Sequence, residues 1–174
     1  MAKVGEKANR IRNLFNSLNN QYRVDWETVN QQGYDFYLDN QLSIDEKELL
    51  EDQGMPTFTV NRIIPVVEML NFYATANNPR WQAIGTEGSD GDVASVFSDL
   101  ADYIWHSSDA SALYSNAIND AITKSVGYLM VDVDANQDNG MGEVVIKNPN
   151  SFDLYVDPKS RDPLFRDASH ILIR

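Results

Sequence analysis

One stretch of the chain, Gly54–Gly85, constrains the fold more than any other, because glycines and prolines bound a strongly apolar segment within it. The Met55-Pro56 step cannot continue a helix, since the residue before a proline is pushed out of the α region. Thr57–Val60 is rich in β-branched residues and predicts an extended segment. Pro65 lies near the start of the apolar run, where its missing N–H costs little. The sequence therefore predicts a turn, an extended segment and then a helix.

The apolar run after Pro65 has helical periodicity and predicts a buried helix. Its apolar face comprises Val67, Leu70 and Ala74, broadened by Ile64, Val66 and Met69. Asn77-Asn78-Pro79 predicts the end of this helix. From Arg80 to Gly85 the residues alternate, with Trp81 and Ala83 opposite Gln82 and Ile84, which predicts a strand.

Composition places this chain among ordinary globular proteins. Its 174 residues are 43% hydrophobic and 23% charged, enough for one domain with a core. No apolar run approaches the ~18 residues of a membrane span, and the first residues lack the apolar core of a signal peptide, so we expect neither a membrane helix nor export. The absence of cysteine excludes disulfides and thiolate metal sites, and fits folding in a reducing cytoplasm.

A net charge of −12 argues against a dedicated nucleic-acid binder, which would present a basic face to phosphates. The simplest interpretation of this charge is solubility. The exception to the acidic character is the basic start of the chain, residues 1–24. It is either an arm that contacts DNA or an acidic neighbour, or simply a solvated helix end, and we favour the solvated helix end.

Helical periodicity dominates the remaining sequence up to residue 122. Residues 5–40 predict one long helix, or two with a break near Asn19-Asn20, and Ser43–Asp52 predicts a short surface helix. After a polar loop, Ser89 or Asp90 is expected to cap a further helix, which carries His106 in its last turn. A second helix of an antiparallel pair is expected to start at an Asp109 cap and to end at Gly127. The apolar stripe of the first helix of the pair consists of Val93, Val96, Phe97, Leu100, Ala101 and Ile104.

From Gly127 the period changes to two, which predicts strands. Tyr128–Val133 and Glu143–Lys147 flank a polar loop as a hairpin, and Ser151–Val156 and Ser169–Ile173 predict a third and a fourth strand. The resulting fold class is α+β, with N-terminal helices, an antiparallel helix pair and a mostly antiparallel sheet.

Three segments in this order resemble the portal protein family of short-tailed bacteriophages. They are the aromatic Tyr34–Gln41, the Thr59-Val60-Asn61-Arg62-Ile63 segment with its following proline, buried helix and basic-aromatic strand, and Asn148–Pro158. The resemblance implies a structural, non-enzymatic subunit of a ring at the capsid vertex of the virion, assembled in the host cytoplasm, through which the genome is packaged and ejected. It implies a homo-oligomer of about twelve subunits. It also implies contacts with the major capsid protein, the terminase large subunit and tail adaptor proteins, double-stranded DNA passing without sequence specificity, and no membrane partner. An acidic channel wall suits that passage, because it repels phosphates.

We divide the chain into residues 1–53, an N-terminal helical region, and 54–174, an α+β region that the resemblance likens to the portal wing. Because the last residues, His170–Arg174, are apolar and β-branched without a polar tail, we expect the wing-like region to continue beyond the chain end. The stem, clip and crown of a portal subunit would then follow Arg174. An intact mass of 19.7 kDa for the natural gene product would contradict this expectation.

The strongest candidate for a ligand site is the acidic loop Asp132–Glu143. Its carboxylates at positions 1, 3, 7 and 12 and its Asn at position 5 echo the calcium loop of an EF-hand, but Gln137 occupies the position that requires glycine. We therefore favour a plain hairpin and designate no metal, cofactor or catalytic residue. The alternative function is a monomeric ligand- or calcium-binding α+β module. Neither His106 nor His170 lies in a triad setting.

Six aromatic residues leave two interpretations open. They are Trp26, Phe36, Tyr37, Phe72, Tyr73 and Trp81. They form either contacts between neighbouring subunits or the core of this domain.

Overall fold

Six α-helices precede four short strands in the described part of the chain, so the fold class is α+β, as the sequence predicts. The computed structural model describes residues 2–77, 79–88, 90–162 and 164–174, with side chains from residue 5 onward. The helices are α1 (Ala2–Leu18), α2 (Gln21–Tyr37), α3 (Ile44–Asp52), α4 (Ile63–Thr75), α5 (Gly91–Ser107) and α6 (Ala110–Thr123). The strands are β1 (Met130–Asp134), β2 (Glu143–Lys147), β3 (Leu154–Val156) and β4 (Ile171–Ile173).

One compact unit comprises Met1–Ile64 together with Asn150–Arg174. Of the two alternatives for residues 5–40, the structure shows two helices with a break at Asn19-Asn20, where the Asn20 side chain accepts a hydrogen bond from the Arg23 N–H (3.1 Å) and caps α2. The short helix α3 is also confirmed, and Ser43 forms a capping box with Glu46 at its start. The buried apolar residues of this unit are Leu18, Leu154 and Tyr155, where α1 packs against β3.

The other compact unit comprises Pro65–Pro149. The predicted hairpin is confirmed, since β1 and β2 pair antiparallel from Met130↔Lys147 to Asp134↔Glu143. The Ile146 N–H donates to the Ser108 hydroxyl (3.0 Å), which ties β2 to the end of α5. Trp105, Ala110 and Ala117 are buried where α5, α6 and β2 meet. These two units are not the sequence regions 1–53 and 54–174, whose division remains a prediction.

The strands form two separate two-stranded sheets, whereas we expected one mostly antiparallel sheet. β3 pairs with β4, from Leu154↔Ile173 to Val156↔Ile171, and both strands are shorter than predicted. Just before β3, the Asp153 carbonyl still accepts a hydrogen bond from the Arg174 N–H (2.9 Å), whereas the carbonyls of Ser151 and Phe152 accept hydrogen bonds from the Arg23 side chain. The main chain there is therefore satisfied by a side chain.

The strand predicted for Arg80–Gly85 is wrong, because these residues form no strand in the structure. The Ala83 N–H instead donates to the Ser98 hydroxyl of α5 (3.0 Å). Alternation in a sequence does not create a strand unless a second strand supplies the ladder. The side chains of Trp81 and Ile84 remain exposed.

The helix predicted after Pro65 is confirmed as α4, but its predicted burial is wrong. Among its described residues only Val67 and Asn71 are buried. The Asn71 amide donates to the Ser115 hydroxyl of α6 (3.1 Å), so one narrow stripe of α4 faces inward. The expected end of this helix at Asn77-Asn78-Pro79 includes Asn78, which lies outside the described residues.

The boundaries of α5 and α6 differ from the sequence prediction in how they are formed. Asp90 and Asp109 occupy N-cap positions of α5 and α6 but neither makes a capping side-chain hydrogen bond, and Ser89 lies outside the described residues. α6 ends at Thr123, four residues before Gly127. A Cβ at Gly127 would lie 1.8 Å from the Ala117 carbonyl oxygen, so this glycine permits a close approach to α6 and does not cap it.

Candidate functional site

The arginine at the start of α2 holds the segment that leads into β3. One terminal nitrogen of Arg23 donates to the Leu154 carbonyl (3.1 Å), and the other donates to the carbonyls of Phe152 (2.9 Å) and Ser151 (3.3 Å). Its Nε donates to Glu27 one helical turn away (2.7 Å). We call this set of contacts the Arg23 clamp. It fixes the middle of the portal-like segment Asn148–Pro158 against α2.

Aromatic rings enclose the same guanidinium. The Arg23 Cζ lies 4.5 Å from the ring centroid of Trp26 and 4.4 Å from that of Tyr155. Trp26 in turn meets Phe152 edge to face, and Phe15 of α1 meets Tyr155 in the same way. Cation–π contacts favour a guanidinium over an ammonium here, because the planar group stacks and donates at once. Arg23 therefore works inside its unit and is not part of a basic arm.

This role of Arg23 was not predicted from the sequence, where the residue was assigned to the local positive charge. The available signal was the i, i+3 and i, i+4 spacing of Arg23, Trp26 and Glu27, which places all three on one helical face.

Asn61, the asparagine of the second portal-like segment, has a clear structural role. Its side-chain oxygen accepts hydrogen bonds from the N–H groups of Ile63 (2.9 Å) and Ile64 (3.2 Å), which satisfies the open first turn of α4. Its amide group donates to the Tyr37 carbonyl at the end of α2 (2.9 Å). One side chain thus joins two helix ends.

A buried carboxylate closes the third portal-like segment. Asp157 accepts hydrogen bonds from the Lys159 N–H (2.9 Å) and from the hydroxyl and N–H of Ser169. The Ser169 hydroxyl, more than any other group, lowers the pKa of Asp157 to about 2. The loop between β3 and β4 is therefore organised around an ionised aspartate.

The nearby His170 does not complete a catalytic triad. Its Nδ1 lies 2.8 Å from the Ser169 hydroxyl oxygen, and that hydroxyl is bonded to Asp157. In a nucleophilic triad the histidine stands between the serine and the carboxylate, so that it can take the serine proton. Here the serine stands in the middle, an order that positions the loop and does not activate the hydroxyl.

The acidic Asp132–Glu143 loop is a hairpin, and three of its carboxylates have separate partners. Asp132 accepts a hydrogen bond from the Lys147 ammonium (2.7 Å), and this bond is the main reason why the pKa of Asp132 is lowered. Glu143 accepts a hydrogen bond from the Tyr103 hydroxyl (3.0 Å), which raises the pKa of Tyr103. Asp134 accepts from the Asn136 N–H (3.0 Å) in a local turn. In the part of the chain that the structure describes, no three His, Cys, Asp or Glu side chains converge as a metal site requires.

The helix α4 presents a broad apolar surface that no part of the described chain buries. Its exposed residues, which we call the α4 surface, are Val66, Met69, Leu70, Phe72 and Tyr73. Phe72 and Tyr73 keep 68% and 69% of their surface exposed, although their rings meet edge to face at 5.7 Å. A contiguous apolar surface of this kind is typical of an interaction site.

The helix α5 is apolar on two sides. Ala94, Ala101 and Trp105 lie on its partly or fully buried inner side. The adjacent side, which we call the α5 outer face, comprises Val93, Val96, Phe97 and Leu100, all at least 48% exposed. Exposed Asp92 and Asp99 lie one helical turn on either side of Val96 and give this face an acidic edge.

The six aromatic residues divide between the two interpretations. Trp26, Phe36 and Tyr37 are half-buried in the unit that contains α2, whereas Phe72, Tyr73 and Trp81 are exposed. Neither a pure core nor a pure interface describes the set. The exposed three belong to the unit that carries the α4 surface.

Comparison with known proteins gives one family. The model of the family described as phage P22-like portal protein matches residues 20–174, which includes all three portal-like segments and excludes nearly all of α1. No curated protein matches the chain. Within the described residues, none of the helices has the length and apolar content that a membrane span requires.

Proposed function

The chain belongs to the family of phage P22-like portal proteins, and we propose that it forms part of the wall of a portal ring at one vertex of a phage head. In this function the chain is a structural subunit of the virion and not an enzyme. Copies of it assemble into a closed ring of about twelve subunits. Head-to-tail contacts produce a closed ring when the rotation between neighbours divides a full turn. The match over residues 20–174 carries this proposal.

Two features of the unit comprising Pro65–Pro149 support assembly into a ring. The α4 surface and the α5 outer face expose large apolar side chains that an isolated subunit would leave in water. Full burial of one such side chain contributes about 1.5–3 kcal/mol. A few of these residues at the centre of a contact suffice to hold neighbouring subunits together.

The charge of the chain supports passage of double-stranded DNA without tight binding. The net charge of −12 disfavours the phosphate contacts that dominate affinity for DNA. A ring built from such subunits conducts the genome during packaging and ejection and reads no sequence. In this proposal the ring sits in the capsid, where the major capsid protein surrounds it, and it docks the terminase large subunit first and tail adaptor proteins afterwards.

The test is the native mass of the protein expressed from its natural gene, measured by light scattering, together with negative-stain microscopy. We expect a closed ring of about twelve copies with a central hole. A monomer at every concentration tested contradicts the proposal. Phe72→Asp should shift the ring toward smaller species, whereas Glu68→Asp, a control on the same helix, should leave the ring unchanged.

A further inference from the structure

The first half of α1 carries an apolar face on one side, and this face is exposed in the described part of the chain. Residues 5–13 are all exposed, whereas Leu18 is buried and Phe15 packs on Tyr155 at 5.0 Å. The first half nevertheless continues the apolar face of the second, through Ala8 and Ile11. Short helices without tertiary packing are marginal in water, so this half requires a covering surface.

The charges that border this apolar face are positive. Lys7 lies one turn before Ile11, and Arg10 lies one turn before Leu14 on the same edge. Lys3, Lys7, Arg10 and Arg12 stand against one acid, Glu6, in the first twelve residues. The remainder of the chain is strongly acidic, because the whole chain carries −12.

The α5 outer face is the complement of this surface. It is an exposed apolar stripe over residues 93–100, and its bordering charges, Asp92 and Asp99, are negative. Opposite charges along the edges of two apolar helix faces set partner choice and register, while the apolar stripes supply most of the stabilisation.

We propose that the first half of α1 of one copy docks on the α5 outer face of a second copy. This inference rests on the proposed function for its biological setting, since two different surfaces of one chain form a head-to-tail contact, which is the kind that builds rings. The family match begins at residue 20, so membership alone assigns α1 no role.

The chain contains no cysteine, so introduced cysteines can test this contact directly. Ile11→Cys and Phe97→Cys are made as separate variants at exposed positions, and the two purified proteins are mixed with a short bismaleimide crosslinker. We expect a covalent heterodimer that contains one chain of each variant. Ser95→Cys, on the exposed side of α5 away from the outer face, is the matched control and should crosslink on the order of tenfold more slowly.

Charge reversal tests the register of the contact. K7E/R10E in the chain that carries Ile11→Cys, or D92K/D99K in the chain that carries Phe97→Cys, should each slow crosslinking on the order of tenfold, and the two together should restore it. Circular dichroism of each variant confirms that the helices remain.

Each outcome decides separately about the contact and the ring. Absence of the heterodimer overturns the contact, even where microscopy still shows rings. A heterodimer without any ring keeps the contact and overturns the proposed function. A chain carrying both cysteines that crosslinks only within itself at every dilution also overturns the contact, because α1 then covers α5 of its own copy.

Discussion

The Arg23 clamp makes a sharp prediction about local stability. In Arg23→Met the side chain keeps much of its length but loses the charge and all donors. Three main-chain carbonyls, those of Ser151, Phe152 and Leu154, then lose their common partner. The contacts of the cation with the rings of Trp26 and Tyr155 are lost as well. We expect the β3–β4 sheet to open far more often.

The size of this effect follows from the contacts. A hydrogen bond to a charged group contributes about 1.5–3 kcal/mol, and a cation–π contact contributes about 0.5–2 kcal/mol. These contributions are not additive, and water recovers part of the lost bonding of the carbonyls. We therefore expect about 3 kcal/mol for the whole clamp, which corresponds to roughly a 150-fold increase in the equilibrium for local opening.

Amide hydrogen exchange followed by mass spectrometry measures this opening, because it reports the free energy of each segment separately. Peptides that cover β3 and β4 should lose protection in Arg23→Met, while peptides that cover β1 and β2 should not. Arg62→Met is the matched control, since Arg62 is exposed and belongs to the same unit. Arg23→Lys should fall between, because an ammonium keeps the charge but not the planar fork.

Equal changes in the exchange of β3 and β4 in Arg23→Met and Arg62→Met would refute the stabilising role of the clamp. A loss of protection spread evenly over both units would also contradict it, because the carbonyls and rings that Arg23 contacts lie within one unit.

Three further predictions concern single features of the fold. Gly127→Ala should destabilise its unit by about 1–3 kcal/mol, because the added methyl would overlap the Ala117 carbonyl; an unchanged urea midpoint contradicts this. The Asp157 pKa is lowered in the folded state, so its carboxylate stabilises the fold above about pH 4 and this contribution is lost as the pH falls toward about 2. The stability of Asp157→Asn should therefore depend less on pH in this window. A midpoint of about 4 in a ¹³C titration of Asp157 would falsify the assignment. Calcium should leave Tm unchanged, because Asp132 and Glu143 are bonded to other side chains; a rise in Tm that Asp134→Asn abolishes would restore the calcium-binding alternative.

Sequence patterns predicted the elements that depend on neighbours along the chain. The short helix that begins at Ser43 and the β1–β2 hairpin are confirmed, and a break at Asn19-Asn20 was one of the two alternatives that the sequence offered. Each of these features is decided by capping, turn chemistry or pairing across one short loop. The order of three short segments likewise indicated the portal family, which the match to the family model confirms.

The errors share a different cause. The strand at Arg80–Gly85 was expected from alternation, but a strand requires a partner that no local rule supplies. Burial of α4 was expected from its apolarity, yet apolarity indicates only that a surface prefers cover and does not say which part of which chain provides it.

The sequence by itself therefore determined where the helices and the first hairpin form, the acidic character of the chain and its family. Only the tertiary structure decided that Arg23 meets the Tyr155 ring and three carbonyls more than a hundred residues away, that β3 pairs with β4, and that α4 and α5 keep apolar faces in water. The physical reason is range. Helix caps and turns depend on residues within a few positions, whereas burial and side-chain partnership depend on which distant segments meet.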